Sequence, residues 1–233
     1  SHVAAVLNRA GSKNMVGKLR GVADDASLSK NERTGAMLTL LAVGGPREFR
    51  EYGLNRKKFT SGGNYDPGSH AVLLARMVEA TGERDVRPEG ELGGPLLELL
   101  DSGNEGVLAH ALALSGLWSV RQVEGEVLRY ARDKNLGSEL RAAAFLSLAR
   151  MDSKQAMGIL KESSGKENPS SIRAAAIEAM CLTDLPEAAK RATALIGENA
   201  LEERELTRLL KAFLSRKSGE DRLVEALESF ELG

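Results

Sequence analysis

Aromatic side chains are scarce in this chain, at 4% of residues with a single tryptophan, Trp118. That scarcity disfavours a β-sheet protein, because strands draw on aromatic and β-branched residues, whereas the abundant alanine and leucine suit close-packed helices. Cysteine is reduced to one residue, Cys181, which excludes an internal disulfide. It sits in an Ala/Met/Leu helical run, where a buried, unreactive thiol is expected. Histidine occurs three times, at His2, His70 and His110. Their wide separation, with no His-x-x-x-His spacing and no cysteine nearby, argues against a zinc site. Charge of one sign is missing too: 32 basic against 33 acidic residues give a formal net charge of −1. No broad pull towards nucleic acid or an anionic membrane follows. No apolar run approaches the roughly 18 residues that a membrane span requires, and the amino terminus carries no cleavable-signal pattern. Ser1-His2 reads as a tag remnant, and the chain as a piece excised from a longer protein.

What the chain does have is repetition. Leu140-Arg141-Ala142-Ala143-Ala144-Phe145 returns 32 residues later as Ile172-Arg173-Ala174-Ala175-Ala176-Ile177. Each copy continues as a helical pattern to a short Asp-containing break, Met151-Asp152-Ser153 or Thr183-Asp184-Leu185, and a second helical pattern follows. This reads as a stacked helix–turn–helix unit. Small side chains on the first helix let neighbouring helices approach, while Leu140, Phe145 and Leu148 fill the layer between them. Such a unit hides its apolar face only by stacking on the next, so isolated units should not fold. Arg141 and Arg173 are expected to pair with a carboxylate, or to cap carbonyls, of a neighbouring unit.

Elsewhere the pattern is less regular. Residues 1–28 read as a helical cap, two short helices parted near Gly11-Ser12. Ser29 with Glu32 has capping-box spacing and precedes a helix through Met37, Leu38, Leu40 and Leu41. Gly44-Gly45-Pro46 ends it and opens another with Phe49, Tyr52 and Leu54 on its apolar side. Residues 60–69 are predicted to be an irregular loop, the kind of segment in which rigid scaffolds often host binding. Its Gly-Gly-Asn nevertheless lacks the Lys-Ser/Thr ending of a phosphate loop. Further helices are predicted over 70–81, 92–100, 107–118, 120–132, 201–214 and 219–230. First helices start near Asn31, Ser69, Asn104, Ser138, Ser171 and Glu203, in steps of 38, 35, 34, 33 and 32 residues. Two antiparallel helices of about three turns each need that length. The predicted architecture is all-α: a right-handed α-α superhelix, or solenoid, of about six helix pairs over residues 29–233.

The Leu-Arg-Ala-Ala-Ala run with an Asp at the turn resembles HEAT repeats of the short-turn, lyase-like variety over about residues 29–230. Three further stretches carry a closer resemblance. They are Gly44-Gly45-Pro46-Arg47-Glu48, Leu114-Ser115-Gly116-Leu117-Trp118-Ser119-Val120, and Ala212-Phe213-Leu214-Ser215-Arg216-Lys217-Ser218-Gly219. Together they are similar to the helical repeat region of large planctomycete and verrucomicrobial proteins of membrane-bound dehydrogenase type. In that family a sugar-dehydrogenase-like β-propeller precedes the helices and a c-type cytochrome domain follows them. The resemblance implies a periplasmic or cell-envelope protein in which the helical piece links or presents catalytic modules. Haem attachment needs Cys-x-x-Cys-His, and this chain has one cysteine and no such run. Haem c and dehydrogenase chemistry would therefore belong to other parts of the parent, and no cofactor is expected here.

No residue cluster announces a reaction. Carboxylates are plentiful, but no pair is set apart for acid–base work. His110 is expected to be structural or solvated, and Trp118, beside a turn, to plug the core between units. Arg56-Lys57-Lys58-Phe59 is the only dense cationic run and reads as a solvated helix end. If there is a binding surface, second helices should supply it, since they line the concave side of such solenoids. Residues placed at 100° intervals leave Gln122, Glu126 and Arg129 facing outward, then Gln155 and Glu162, then Glu187 and Lys190. The strip is polar and of mixed sign. The expected function is a non-catalytic protein-interaction scaffold or spacer whose partners are other proteins or protein domains, with no nucleic acid and no membrane insertion. One alternative is a HEAT-like DNA glycosylase gripping duplex in its concave face, which needs a basic, aromatic groove. Another is a partner in tetrapyrrole or cofactor lyase chemistry, for which only the repeat speaks.

Overall fold

The computed structural model describes residues 13–231, so the first of the two short helices predicted at the amino terminus lies outside the described residues. The chain is all-α in consecutive helix pairs, and it divides into two compact units, residues 1–118 and 119–233. First helices begin at Lys30, Pro67, Glu105, Ser138, Ser170 and Glu203, each within two residues of the start that the repeat spacing predicts.

The first unit contains α1 (Lys13–Asp24), α2 (Lys30–Val43), α3 (Pro46–Glu48), α4 (Pro67–Arg84), α5 (Gly93–Leu100) and α6 (Glu105–Leu117). The capping box forms as predicted: the Glu32 amide donates to Ser29 Oγ at 3.3 Å, and the Ser29 amide to Glu32 Oε2 at 2.9 Å. α2 packs on α1 and α4, and α6 on α4 and α5. Leu40, Leu41, Leu73, Leu74, Met77 and Leu112 are fully buried between them.

Two segments depart from the sequence reading. The helix expected after Pro46 lasts only to Glu48 and widens into a π-helical turn, Phe49–Gly53. The wide turn carries Phe49, Tyr52 and Leu54 into the core together. Gly53 is pressed against α4 so closely that a Cβ there would lie 2.0 Å from Met77 Sδ. The second departure is at residues 60–69, predicted as a loop. After a 3-10 turn at Arg56–Phe59 the chain forms a small antiparallel hairpin of β1 (Thr60–Ser61) and β2 (Asn64–Tyr65). Gly62 and Gly63 join the strands at φ of 56° and 82°. Two successive positive φ values match the twist of a hairpin, and glycine adopts them without steric cost. Asp66 then caps α4, its Oδ1 accepting the Ser69 amide at 3.2 Å, with Pro67 in the first turn. The helix therefore starts three residues ahead of His70.

The second unit contains α7 (Glu124–Arg132), α8 (Ser138–Arg150), α9 (Ala156–Ser163), α10 (Ser170–Met180), α11 (Leu185–Gly197), α12 (Glu203–Leu214) and α13 (Gly219–Glu231). First helices stack on one another, α8 on α10 and α10 on α12, while α11 packs on α13. Ala144, Ala174, Ala175 and Ala176 are buried at these contacts beside Leu140, Phe145, Leu148 and Ile177, as close approach requires. The two Asp-containing breaks look equivalent in sequence but do different work. Asp152 takes a left-handed conformation, φ 52°, that ends α8. Asp184, with φ −149° and ψ 84°, caps α11, its Oδ1 accepting the Glu187 amide at 3.2 Å.

Candidate functional site

The predicted strip lies on α7, α9 and α11 of the second unit, with two corrections to its geometry. Gln122 sits in a 3-10 turn, Arg121–Val123, because α7 begins only at Glu124. Gln155 caps α9, which spans Ala156–Ser163 rather than 154–162. The 100° placement does not apply to either residue. Both are exposed all the same, as are Arg129, Glu162 and Lys190, while Glu126 and Glu187 are half-buried.

Two arginines that periodicity did not single out tie the strip together across successive pairs. Arg132, at the end of α7, donates to Gln155 Oε1 at 2.6 Å. Arg191 on α11 reaches back to α9, donating to Ser164 Oγ at 2.8 Å and to the Lys161 carbonyl at 3.2 Å, while its Nε binds Glu187 at 2.7 Å. That last bond holds the Glu187 carboxyl below the usual carboxylate range. Within α7, Arg129 pairs with Glu126 at 2.7 Å and lies over the Tyr130 ring. Acidic and basic groups thus intermingle along the strip, and two ion pairs, Glu126 with Arg129 and Glu187 with Arg191, neutralise part of it.

The first-helix side of the same unit is charged in a different manner. Glu139 of α8, Glu178 of α10 and Arg208 of α12 form a ladder, with Arg208 Nε 2.7 Å from Glu178 and Arg208 Nη1 3.6 Å from Glu139. Burial holds the Glu178 carboxyl above its ordinary range, and Arg208 offsets part of that. Both repeat arginines are structural, but only Arg141 reaches a neighbouring helix pair as predicted, while Arg173 finds its carboxylate within its own pair. Arg173 makes a bidentate pair with Glu198 at 2.6 and 2.9 Å. Arg141 donates to the Ala131 carbonyl at 3.4 Å and lies over Phe145.

Other groups singled out from sequence are also accounted for by packing. Cys181 is buried, its thiol donating to the Ile177 carbonyl at 3.4 Å, and burial pushes its pKa up to about 12. Trp118 plugs the first unit as expected: Nε1 donates to Thr81 Oγ1 and the Val86 carbonyl at 3.2 and 3.1 Å. His110 is half-buried, and desolvation lowers its pKa. Among the described residues no cluster of three or more His, Cys, Asp or Glu is placed to hold a metal, and no helix is long and apolar enough to cross a membrane.

The first unit holds the surprises. His70, read only as an isolated histidine, is fully buried and stacked on Phe59 with ring centres 3.9 Å apart. Its Nε2 lies 2.7 Å from the Gly53 carbonyl, and its Nδ1 2.8 Å from Tyr65 Oη. A carbonyl only accepts, so Nε2 carries the proton, and Nδ1 accepts from the tyrosine. Burial drives the His70 pKa down to about 4, keeping the ring neutral. The basic run beside it is not a solvated helix end. Arg56 lies 4.2 Å over the Tyr65 ring, and Lys58 binds Asp24 and approaches Glu51 at 3.9 Å. Only Lys57 is exposed. Together with α1, α2 and the hairpin, this segment encloses a cleft of about 610 Å³.

A family model for HEAT repeats matches residues 94–181, from α5 through α10. No curated protein and no solved structure matches the chain. The stacked helix pairs and the family match agree, and the stretch 94–181 is similar to HEAT repeats.

Proposed function

We propose that this chain is a non-catalytic scaffold that binds other proteins or protein domains. The observation that carries it is the strip across α7, α9 and α11, held in register by Arg132 and Arg191. Repeats of this kind present successive helices as one surface, each supplying a few side chains to a partner. The displaced pKa values of His70, Cys181 and Glu178 are explained by burial, which supports a binding role over catalysis. The duplex-gripping alternative is opposed by the strip itself, where Glu126, Glu162 and Glu187 sit among the cations and would repel phosphates.

In the specific form favoured by the family-like stretches, the scaffold links or presents redox domains of a larger cell-envelope protein. The domain order of the intact gene tests that form, and a gene without propeller or cytochrome modules would end it. The broader role is tested by lysine cross-linking with mass spectrometry on the intact protein in its native extract. Partner peptides should attach at Lys161 and Lys190, and Glu126→Lys with Glu187→Lys should remove them. Cross-links unchanged by those substitutions would count against the strip.

A further inference from the structure

The cleft of the first unit lies where the end of α1, the start of α2, the basic 3-10 turn and the hairpin meet. At about 610 Å³ it falls in the size range of ligand sites. Four cations and two acids line it. Lys58 is neutralised by Asp24, and Lys30 by Asp66, whose carboxyl is held down at about 2, chiefly by that lysine. Arg33 and Lys57 remain. Neither has an ion pair among the described residues, and Arg33 Nε is buried with no hydrogen-bond partner among them. The nearby Asp25 accepts from Ser27, at 2.6 Å, rather than from Arg33. Arg33 as a whole is only half-buried and lines the cleft with a charge that no ion pair among the described residues cancels, so a carboxylate entering there would gain a charge-assisted contact.

The rest of the lining says which kind of anion. Met37 and Phe59 give the cleft apolar surface, while exposed Thr60, Ser61 and Asn64 of the hairpin offer polar groups at its margin. Apolar contact next to two positive charges without a salt bridge, Arg33 acting only at a distance on Asp25, and a polar margin suit a short chain that carries acidic side chains between apolar ones.

We propose that this cleft binds an acidic segment of a partner protein, with carboxylates held by Arg33 and Lys57 and an apolar neighbour against Met37 and Phe59. The proposal rests on the protein-binding role above and gives it an address and a chemistry in the first unit.

The test is fluorescence anisotropy with a labelled, amidated hexapeptide that carries adjacent Asp and Glu between leucines, beside its Asn/Gln counterpart. Binding to the acidic peptide alone is expected, weakened about tenfold or more by Arg33→Gln, since a charge-assisted hydrogen bond is lost. Lys57→Gln should weaken it too, and because Lys57 is exposed this variant keeps the fold should Arg33→Gln unfold it. Equal binding of the two peptides, binding untouched by Lys57→Gln, or capture of inorganic phosphate with no peptide binding would each overturn the proposal. A cleft that fails while strip substitutions still remove cross-links would leave the scaffold role standing. The opposite pattern would retain the cleft and discard the strip.

Discussion

In the second unit, alanine fills the contacts between successive first helices and charged side chains bridge from one helix to the next. In the first unit the corresponding close contacts use glycine at Gly53 and aromatic rings at Phe49, Tyr52 and Phe59, and the chain leaves helix altogether for a hairpin. In the second unit, ion pairs join one helix to another, as with Arg173 and Glu198 or Arg208 and Glu178. Where the repeat is interrupted, partners come from distant segments: Lys58 finds Asp24, and Arg20 finds Glu48. Not every charge is then served, and Arg33 and Lys57 are left facing a cleft. In this chain the regular part thus builds a broad surface of mixed sign, and the irregular part a cavity lined by two cations that have no ion pair among the described residues.

The largest effect that would sharpen this contrast is at Phe145, fully buried in the second unit. Phe145→Ala should cost about 3–5 kcal/mol, read by urea denaturation followed by circular dichroism. A loss below about 1 kcal/mol would mean that the alanine stack does not depend on its large residues.

Next comes the pH response of the first unit. His70 takes up protons less readily folded, at about 4, than unfolded, at its ordinary 6.5. Its contribution is therefore fully present above pH 6.5 and is lost as pH falls towards 4, by about 3 kcal/mol in all. Urea titrations followed by Trp118 fluorescence should show this decline, and His70→Gln should flatten it. A decline of the same size in the variant would assign the pH dependence to other groups.

Overfilling should cost less, and comparably in both units. Ala176→Leu and Gly53→Ala each force buried neighbours to move and should destabilise by about 1–3 kcal/mol. If Gly53→Ala is neutral, Met77 can swing aside and the wide turn is not set by close approach. The smallest effect belongs to the strip: Lys190→Ala should change stability by no more than about 0.5 kcal/mol, with any consequence confined to partner cross-linking.

Much of the fold was legible because it is local. Apolar spacing placed the first helices, Ser29 with Glu32 announced a cap, and the alanine triplets marked close contacts. The hairpin was legible in principle as well. Gly62-Gly63 followed by Asp66-Pro67 is a tight-turn signal ahead of a helix start, but its composition also reads as a loop. The cleft could not be read from sequence. Its charge balance depends on Asp24 meeting Lys58 and Lys30 meeting Asp66; those separations, 34 and 36 residues, are about one repeat, but the repeat step alone does not say which side chains meet. His70 was opaque for the same reason, since its acceptor, Gly53, lies 17 residues away.

The sequence by itself determined a stack of helix pairs, because a helix's apolar face and its caps are properties of neighbouring residues. Only the tertiary structure decided which charges are cancelled and which are left over. That depends on side chains brought together from distant turns, and on how much water the packing leaves between them.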